Sequence, residues 1–193
     1  HSFTVSGVLP NSNRGFQMDY SQKGGHLVWY SAPRKVGQRV LDVRGARDAS
    51  LDFLESHGYP NLAPLTYEEY QNVASLTFAP LQNDVIIYPA KLTVQVAMDD
   101  GEVLGLQTTD YVYENKERNI PAPKLTVDEA KRALNPGFTV KNHSLALIRN
   151  DANEETLCYQ FEGKINGGDY RIFINADNGM EEKIEPIRVG KYK

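Results

Sequence analysis

Cysteine is nearly absent from this chain of 193 residues, which contains only Cys158. An intrachain disulfide is therefore impossible, and the fold must be held together by packing and hydrogen bonds. No apolar run approaches the ~18 residues that a membrane-spanning helix needs, and no signal peptide is visible. We expect His1 to be a remnant of cloning, and the natural protein to continue upstream of it.

Positive charge is not in excess either. The chain has 21 Lys and Arg against 25 Asp and Glu, a formal net charge of −4 and a pI near 5.6. Nucleic-acid binders usually carry a basic face, because neutralisation of phosphates supplies much of their affinity. The composition therefore gives no support to a nucleic-acid partner, and its 40% hydrophobic residues are ordinary for a globular protein.

Motifs for metal binding or nucleophilic catalysis are missing as well. The four histidines are scattered and show no metal-ligand spacing; they are His1, His26, His57 and His143. Cys158 has no neighbouring base or helix N-terminus to activate it, which favours a passive, packed thiol. The sequence predicts no catalytic residue, no metal site and no cofactor.

Adjacent carboxylates occur at Glu68-Glu69, Glu154-Glu155 and Glu181-Glu182. A glycosidase needs two carboxyl groups that face each other about 5–10 Å apart. Neighbours on a strand point to opposite faces, so none of these pairs is a natural acid–base couple. Solvated surface charge is the interpretation that we favour.

A turn that contains glycine recurs three times along the chain, at Gly25, Gly101 and Gly179. Each follows a run in which apolar and polar residues alternate, which is typical of a strand with one buried face. Glycine adopts the positive φ that tight turns need, so the pattern predicts three β-hairpins. The alternating residues are Phe16, Met18 and Tyr20; Leu92, Val94 and Val96; and Tyr170, Ile172 and Ile174.

Two helices are predicted, at 41–59 and 125–137. Asp42 can cap the first helix, Gly58 ends it, and its apolar stripe is expected to be Val43, Ala46, Ala49 and Phe53. Thr126 and Glu129 have the spacing of a capping box at the start of the second helix.

Extended runs follow each helix, at 62–70 and 72–80 and again at 137–148 and 155–164. Each complete unit thus contains one helix and about four antiparallel strands, which predicts an α+β fold. We divide the chain into a partial unit at 1–34 and two complete units at 35–117 and 118–193. Polar, proline-containing linkers are expected at 31–38 and 114–124.

Aromatic and basic residues near these linkers are the candidate functional positions. Trp29 and Tyr30 precede one linker, and Tyr111 and Tyr113, expected on one strand face, precede the other. Exposed aromatics anchor protein interfaces, although burial between neighbouring modules is the explanation that we rate higher. Trypsin is expected to cut first at the exposed linker residues Arg34, Lys35, Lys116 and Arg118.

The segments "DEAKRAL", "FLESHGY", "VQVAMDDGEVLGL" and "YRIFINADNGMEEKI" resemble PepSY domains. Almost the whole chain is similar to the C-terminal region of one group of PepSY proteins, which acts in spore germination. The resemblance implies tandem PepSY modules, each with one helix packed on a small antiparallel sheet of about four strands.

The resemblance also implies a role without catalysis. Proteins of this group are held at the outer face of the spore's inner membrane or in the cortex region, by an N-terminal anchor that is absent here. They stabilise and restrain a spore cortex-lytic enzyme, a SleB-type lytic transglycosylase, until germination, and cleavage at the linkers would release that partner. The alternatives are a peptidoglycan-binding wall module without an enzyme partner and, last, an enzyme that acts on peptidoglycan.

Overall fold

The computed structural model describes residues 2–10 and 12–187, so the expectation about His1 lies outside the described residues. The strands are β1 Ser2–Val8, β2 Gly15–Ser21, β3 Leu27–Ser31, β4 Leu62–Tyr70, β5 Val73–Gln82, β6 Val85–Ile87, β7 Leu92–Ala97, β8 Val103–Gln107, β9 Thr139–Arg149, β10 Glu155–Ile165, β11 Gly168–Asn175 and β12 Glu181–Pro186. The helices are α1 Val43–Ser56, α2 Thr109–Glu114 and α3 Val127–Lys131, with a 3₁₀ turn at Tyr88–Ala90. The mixed α+β class is confirmed.

The described residues group into two compact units. The first contains residues 2–80, without 11, and Ala90–Asn115; the second contains Leu81–Pro89 and 116–187. Residues 35–117 contribute α1 and the strands β4 to β8, and 118–193 contributes α3 and β9 to β12. The module borders after residues 34 and 117 stay a prediction, because a spatial grouping does not define a repeating sequence module.

The first unit is an antiparallel sheet with α1 on one face. Its strand order is β1-β2-β3-β8-β7-β5-β4, and α1 contacts β7 and β8. The largest fully buried side chains of its core are Tyr59, Phe78, Leu54, Leu92 and Met98. Residues that alternate with this core point to the other face of the sheet, which we call the open face.

Helix α1 begins and ends as the sequence predicts. The side chain of Asp42 accepts a hydrogen bond from the Gly45 amide at 2.8 Å, and Gly58 follows the helix with φ +84°. The predicted stripe is wrong in one respect: Val43 is 45% exposed, and the buried residues include Ser50. The hydroxyl of Ser50 donates to the Ala46 carbonyl at 2.8 Å, which satisfies this polar group inside the core.

The second unit is built on β9 to β12, which pair in chain order and antiparallel. Strand β6 joins it beside β9 in parallel, a pairing that the sequence did not predict. Phe161 and Phe173 are fully buried, and α3 contacts β11. This arrangement places residues 116–124 of the linker and the turn at 176–180 in the same unit.

Helix α3 is shorter than predicted. The capping box of Thr126 and Glu129 is present, but the α-helix ends at Lys131. The amides of Arg132, Ala133 and Leu134 then donate to carbonyls three residues back, which tightens the chain into turns. Leu134 is buried even though its backbone is not α-helical.

The glycines of the three predicted turns all have positive φ. Gly25, Gly101 and Gly179 have φ values of +63°, +84° and +76°. The amides of Gly101 and Gly179 both donate at 2.9 Å to the carbonyl four residues back. The predicted hairpins and their positive-φ glycines are therefore confirmed.

Candidate functional site

Charged side chains join the linker at 31–38 to the turn between β7 and β8. We call this group the Arg34 cluster; its members are Arg14, Arg34, Asp99, Asp100 and Glu102. The Arg34 guanidinium donates to both carboxylate oxygens of Asp99 at 2.8 Å, to Asp100 Oδ1 at 2.6 Å and to Glu102 Oε2 at 2.7 Å. Arg14 donates two further bonds to Glu102, at 2.9 and 2.7 Å.

The linker backbone is part of the same network. The Gly37 amide donates to Asp99 Oδ2 at 2.6 Å, and Asn72 Nδ2 donates to the Gly37 carbonyl at 2.9 Å. The hydrogen bonds from Arg34 and Gly37 hold the pKa of Asp99 far below its usual range. The linker is therefore fixed at its centre by a carboxylate that stays ionised at neutral pH.

Glu102 and Arg34 are each held in the charged form by their partners. Hydrogen bonding, first from Arg14 and then from Arg34, lowers the pKa of Glu102. The hydrogen bonds to Asp99 and Glu102 raise the pKa of Arg34. Because Asp99 and Glu102 are both occupied by arginines, the cluster has the chemistry of a structural clamp and not of an acid–base pair.

The second unit repeats the connection between linker and turn in a weaker form. Lys124 Nζ lies 2.7 Å from Asp177 Oδ2, and both side chains are largely exposed. The backbone matches more closely: the Leu41 amide donates to the Met98 carbonyl at 2.8 Å, and the Leu125 amide donates to the Ala176 carbonyl at 2.9 Å. The sequence predicted these turns but not the ion pairs that they form. The available signal was an acidic residue in each turn together with a basic residue in the linker.

The predicted cleavage residues differ in accessibility. Lys35 and Lys116 are exposed, whereas the side chain of Arg34 is 16% exposed and that of Arg118 only 6%. Arg118 donates to the carboxylate of Glu155 at 2.7 and 3.0 Å and lowers its pKa. Whether proteases cut these linkers stays a prediction, but the exposed lysines are the more accessible positions.

Trp29 and Tyr30 lie on opposite faces of β3. Tyr30 packs against the core of the first unit, and its ring stacks on Phe53 with centroids 6.4 Å apart. Trp29 points to the open face and lies directly opposite Asp19 on β2 and Gln107 on β8. Only Trp29 of this pair is therefore on the open side of the sheet.

Tyr111 and Tyr113 are not on a strand face, and this prediction was wrong. They belong to α2, where residues two apart point in different directions. Tyr111 packs edge-on against Tyr59 with centroids 4.9 Å apart, and burial raises its pKa. Tyr113 is 71% exposed, so it is the member of this pair that a partner can reach.

A shallow groove on the first unit brings Trp29 and Tyr113 together. Its volume is about 930 Å³, and it is lined by Ser2, Gln17, Asp19, Ser21, Lys23, Gly24, His26, Val28, Trp29, Thr109, Val112 and Tyr113. We call it the Trp29 groove. Asp19 lies in this groove, although the sequence did not identify it as a candidate residue. The only sign of it in the sequence was an acidic residue inside a predicted strand.

The remaining reactive groups show no catalytic arrangement. Cys158 is fully buried, and burial raises the pKa of its thiol to about 12. His57 is the C-cap residue of α1, and its Nδ1 lies 2.7 Å from the Phe53 carbonyl oxygen. Across residues 2–10 and 12–187, no three His, Cys, Asp or Glu side chains are grouped as metal ligands would be.

Helices in the described part of the chain are too short or too polar to cross a membrane.

Comparisons with known proteins agree with this architecture. The family model described as "YpeB sporulation, PepSY1 and PepSY2 domains" matches residues 1–121. The chain is 35% identical over 179 residues to the sporulation protein YpeB of Halalkalibacterium halodurans, covering 93% of this chain and 40% of that protein. It is 33% identical over 188 residues to the sporulation protein YpeB of Bacillus subtilis, covering 96% and 42%.

A solved structure also matches. The Bacillus megaterium YpeB C-terminal domain superposes with a TM-score of 0.91 at 34% identity, over 97% of this chain and 83% of that chain. The chain spans about two fifths of the length of the curated relatives that it matches. The fold and its sequence together show that the chain belongs to the YpeB family of sporulation proteins, which contain PepSY domains.

Proposed function

We propose that this chain is a non-catalytic regulatory part of a spore germination protein. It would bind a spore cortex-lytic enzyme of the SleB type, stabilise it and restrain it until germination. The observation that supports the proposal is family membership: the relatives are sporulation proteins, and the match extends over nearly the whole chain. On this proposal the chain consists of tandem PepSY modules, and it acts outside the spore's inner membrane, held there by an anchor N-terminal to these residues.

The side-chain chemistry supports a binding role over an enzymatic one. The Asp99 and Glu102 carboxylates are neutralised by arginines, and Glu155 is bound by Arg118. The single thiol is buried with a raised pKa, which makes it a poor nucleophile. Exposed aromatic side chains such as Tyr113 provide instead the type of contact that anchors a protein partner.

Direct binding to the purified cortex-lytic enzyme tests the proposal. Calorimetric titration of the enzyme with this chain should give saturable binding, and the chain should slow the enzyme's release of soluble fragments from spore cortex. A null titration with both proteins folded would contradict the proposal. A clearing band from the chain alone in a zymogram would contradict its non-enzymatic part.

Two matched variants test whether the aromatic surface on α2 contributes. Tyr113→Ala and Tyr70→Ala each remove a highly exposed tyrosine of the first unit, 71% and 72% exposed. Tyr113→Ala should weaken binding by tenfold or more, because it removes an interface anchor, and Tyr70→Ala should not. A tenfold change in affinity corresponds to about 1.4 kcal/mol. Equal affinities of both variants and the parent would remove Tyr113 from the interface without excluding binding elsewhere.

A further inference from the structure

The Trp29 groove contains an acidic side chain with an unsatisfied oxygen. Asp19 Oδ1 is shielded from solvent and has no hydrogen-bond partner among the described residues. A buried acceptor without a donor lowers stability, so such groups in native proteins call for an explanation. Oδ1 itself has almost no exposed surface, so a ligand hydroxyl would reach it only after the groups that cover it move aside, whereas the half-buried Asp19 side chain as a whole lines the groove.

An aromatic ring lies next to this acceptor. Asp19 and Trp29 are directly opposite each other on β2 and β3, which places their Cβ atoms about 5 Å apart on the open face. Tyr113 and Val112 of α2 line the same groove. An indole beside a hydrogen-bonding carboxylate suits a ligand with one apolar face and a polar edge.

The other side chains of the groove favour a ligand without net charge. Lys23 and His26, from the turn between β2 and β3, are also in the lining, so an incoming cation would meet a positive charge as well as Asp19. Gln17, Ser21 and Thr109 add neutral amide and hydroxyl groups. This mixture matches a hydroxyl-rich neutral molecule better than a guanidinium or an ammonium group.

The turn between β2 and β3 and the start of α2, which line the groove, are each held by hydrogen bonds. The Ser21 hydroxyl donates to the Lys23 carbonyl at 2.8 Å and accepts from the His26 amide at 3.0 Å. The Thr108 amide donates to the Val28 carbonyl at 2.9 Å, which fastens the start of α2 to the start of β3. Preorganised walls reduce the entropy that a ligand must overcome on binding.

We propose that the Trp29 groove binds a neutral oligosaccharide. The hydroxyl groups of a sugar ring would donate to Asp19, and the C–H face of the ring would lie on the indole of Trp29. The volume of about 930 Å³ is in the range of small-molecule sites. An open groove leaves part of a ligand in water, so we expect weak binding, with a dissociation constant on the order of 1 mM. This inference does not depend on the enzyme partner, since it assigns a separate ligand to a site within the first unit.

The groove contains its own spectroscopic reporter, because Trp29 is the only tryptophan of the chain. The chain is titrated with chitohexaose and, separately, with cellohexaose, while tryptophan emission and heat are recorded. Saturable binding of either oligosaccharide with a change in Trp29 emission is expected. Asp19→Asn should weaken it at least about fivefold, because a charged acceptor is lost.

Glu68→Gln is the matched control, because Glu68 is another open-face carboxylate that lies outside this groove. It should bind as the parent does, and circular dichroism should show that both variants are folded. Gln17→Ala provides a second test within the groove and should also weaken binding.

Three results would overturn the proposal. The first is no detectable binding of either oligosaccharide at concentrations up to about ten times the expected dissociation constant. The second is an equal loss of affinity in Asp19→Asn and Glu68→Gln. The third is binding that leaves Trp29 emission unchanged. An arginine-rich peptide is the counter-probe. If only this peptide changes the emission of Trp29, and Asp19→Asn abolishes that change, the groove recognises a cationic polypeptide and the saccharide assignment is wrong.

Discussion

Arg34 and Asp99 are joined by two parallel hydrogen bonds of 2.8 Å, although they are 65 residues apart in the chain. The pair fixes a linker without regular secondary structure to a hairpin turn of the same unit. Bidentate arginine–carboxylate pairs are among the stronger charged contacts in proteins, and this one is largely shielded from solvent. The linker at 31–38 is thus an ordered segment with a specific attachment.

Removal of Arg34 should therefore destabilise the protein. Arg34→Gln leaves Asp99, Asp100 and Glu102 close together without their shared cation, and the repulsion adds to the lost hydrogen bonds. We expect the thermal midpoint to fall by roughly 3–6 °C, as read by circular dichroism. Arg47→Gln, which removes an exposed arginine paired with its neighbour Asp48, is the control and should change the midpoint by less than about 1 °C. Equal midpoints for both variants would show that the cluster does not stabilise the fold.

Acid should weaken the same cluster. The pKa values of Asp99 and Glu102 are lowered in the folded protein from the unfolded values of about 3.9 and 4.3. A lowered pKa gives stability that is complete above the unfolded value and is lost as the pH falls through the folded value. Urea denaturation should therefore show a decline in stability below about pH 4, and Arg34→Gln should have a shallower decline. A variant with the parent's pH profile would contradict this assignment.

Limited digestion with trypsin tests the accessibility of the linkers. We expect the first cuts after Lys35 and Lys116, because these side chains are exposed and are not within helices or strands. Arg34 and Arg118 should be cut later, since their side chains are held by carboxylates. Mass spectrometry of early fragments gives the order. Early cuts at Arg44 or Arg47 within α1 would contradict it, and Lys35→Gln should remove the first site.

The thiol of Cys158 should be unreactive in the folded protein. Its pKa of about 12, compared with 9.0 for an ordinary thiol, makes the thiolate at pH 8 about a thousand times rarer, and full burial slows access further. An Ellman assay at pH 8 should show a reaction only over hours, and a reaction within minutes in urea. Fast labelling without denaturant would mean that β10 opens in the native state.

Local patterns predicted much of the fold because short-range chemistry determines those elements. The alternation around Val94, the Asp42 cap and the Thr126 capping box each depend on neighbours within a few residues. The parallel pairing of β6 with β9 depends on residues about 60 positions apart, and β6 is too short to show a pattern. The turn at Asn83-Asp84, with φ of +50° and +62°, was its one local signal.

The candidate site was predictable only in part for the same reason. Trp29 and Tyr113 could be named as candidate interface aromatics, but α2 replaced a predicted strand and packed Tyr111 against Tyr59. The short sequence between Thr108 and Asn115 contains tyrosine and valine, which favour strands. The buried Thr108, whose hydroxyl donates to the Leu27 carbonyl at 2.9 Å, starts a helix there through a contact that no local pattern shows.

The three glycine turns offer a comparison within one chain. All three glycines have positive φ, so alanine at any of them should cost about 1–2 kcal/mol in backbone strain. A Cβ at Gly101 would also approach Leu41 Cδ1 at 3.3 Å, and one at Gly179 would approach Leu125 Cδ1 at 3.4 Å, whereas a Cβ at Gly25 meets nothing within 4 Å. Leu41 and Leu125 each precede a helix cap, so the additional contact lies where helix and hairpin meet.

Denaturation of Gly25→Ala, Gly101→Ala and Gly179→Ala should therefore rank their stabilities. Gly101→Ala is expected to be the least stable, because its Cβ would approach Leu41 Cδ1 at 3.3 Å, which is tighter than ordinary van der Waals contact. Gly25→Ala should show the cost of backbone strain alone and should therefore lose the least stability. If Gly25→Ala lost as much stability as Gly101→Ala, the close contacts with leucine would contribute nothing to the destabilisation. The correspondence between the repeated turns would then be one of backbone geometry only, without a shared role in packing the helices.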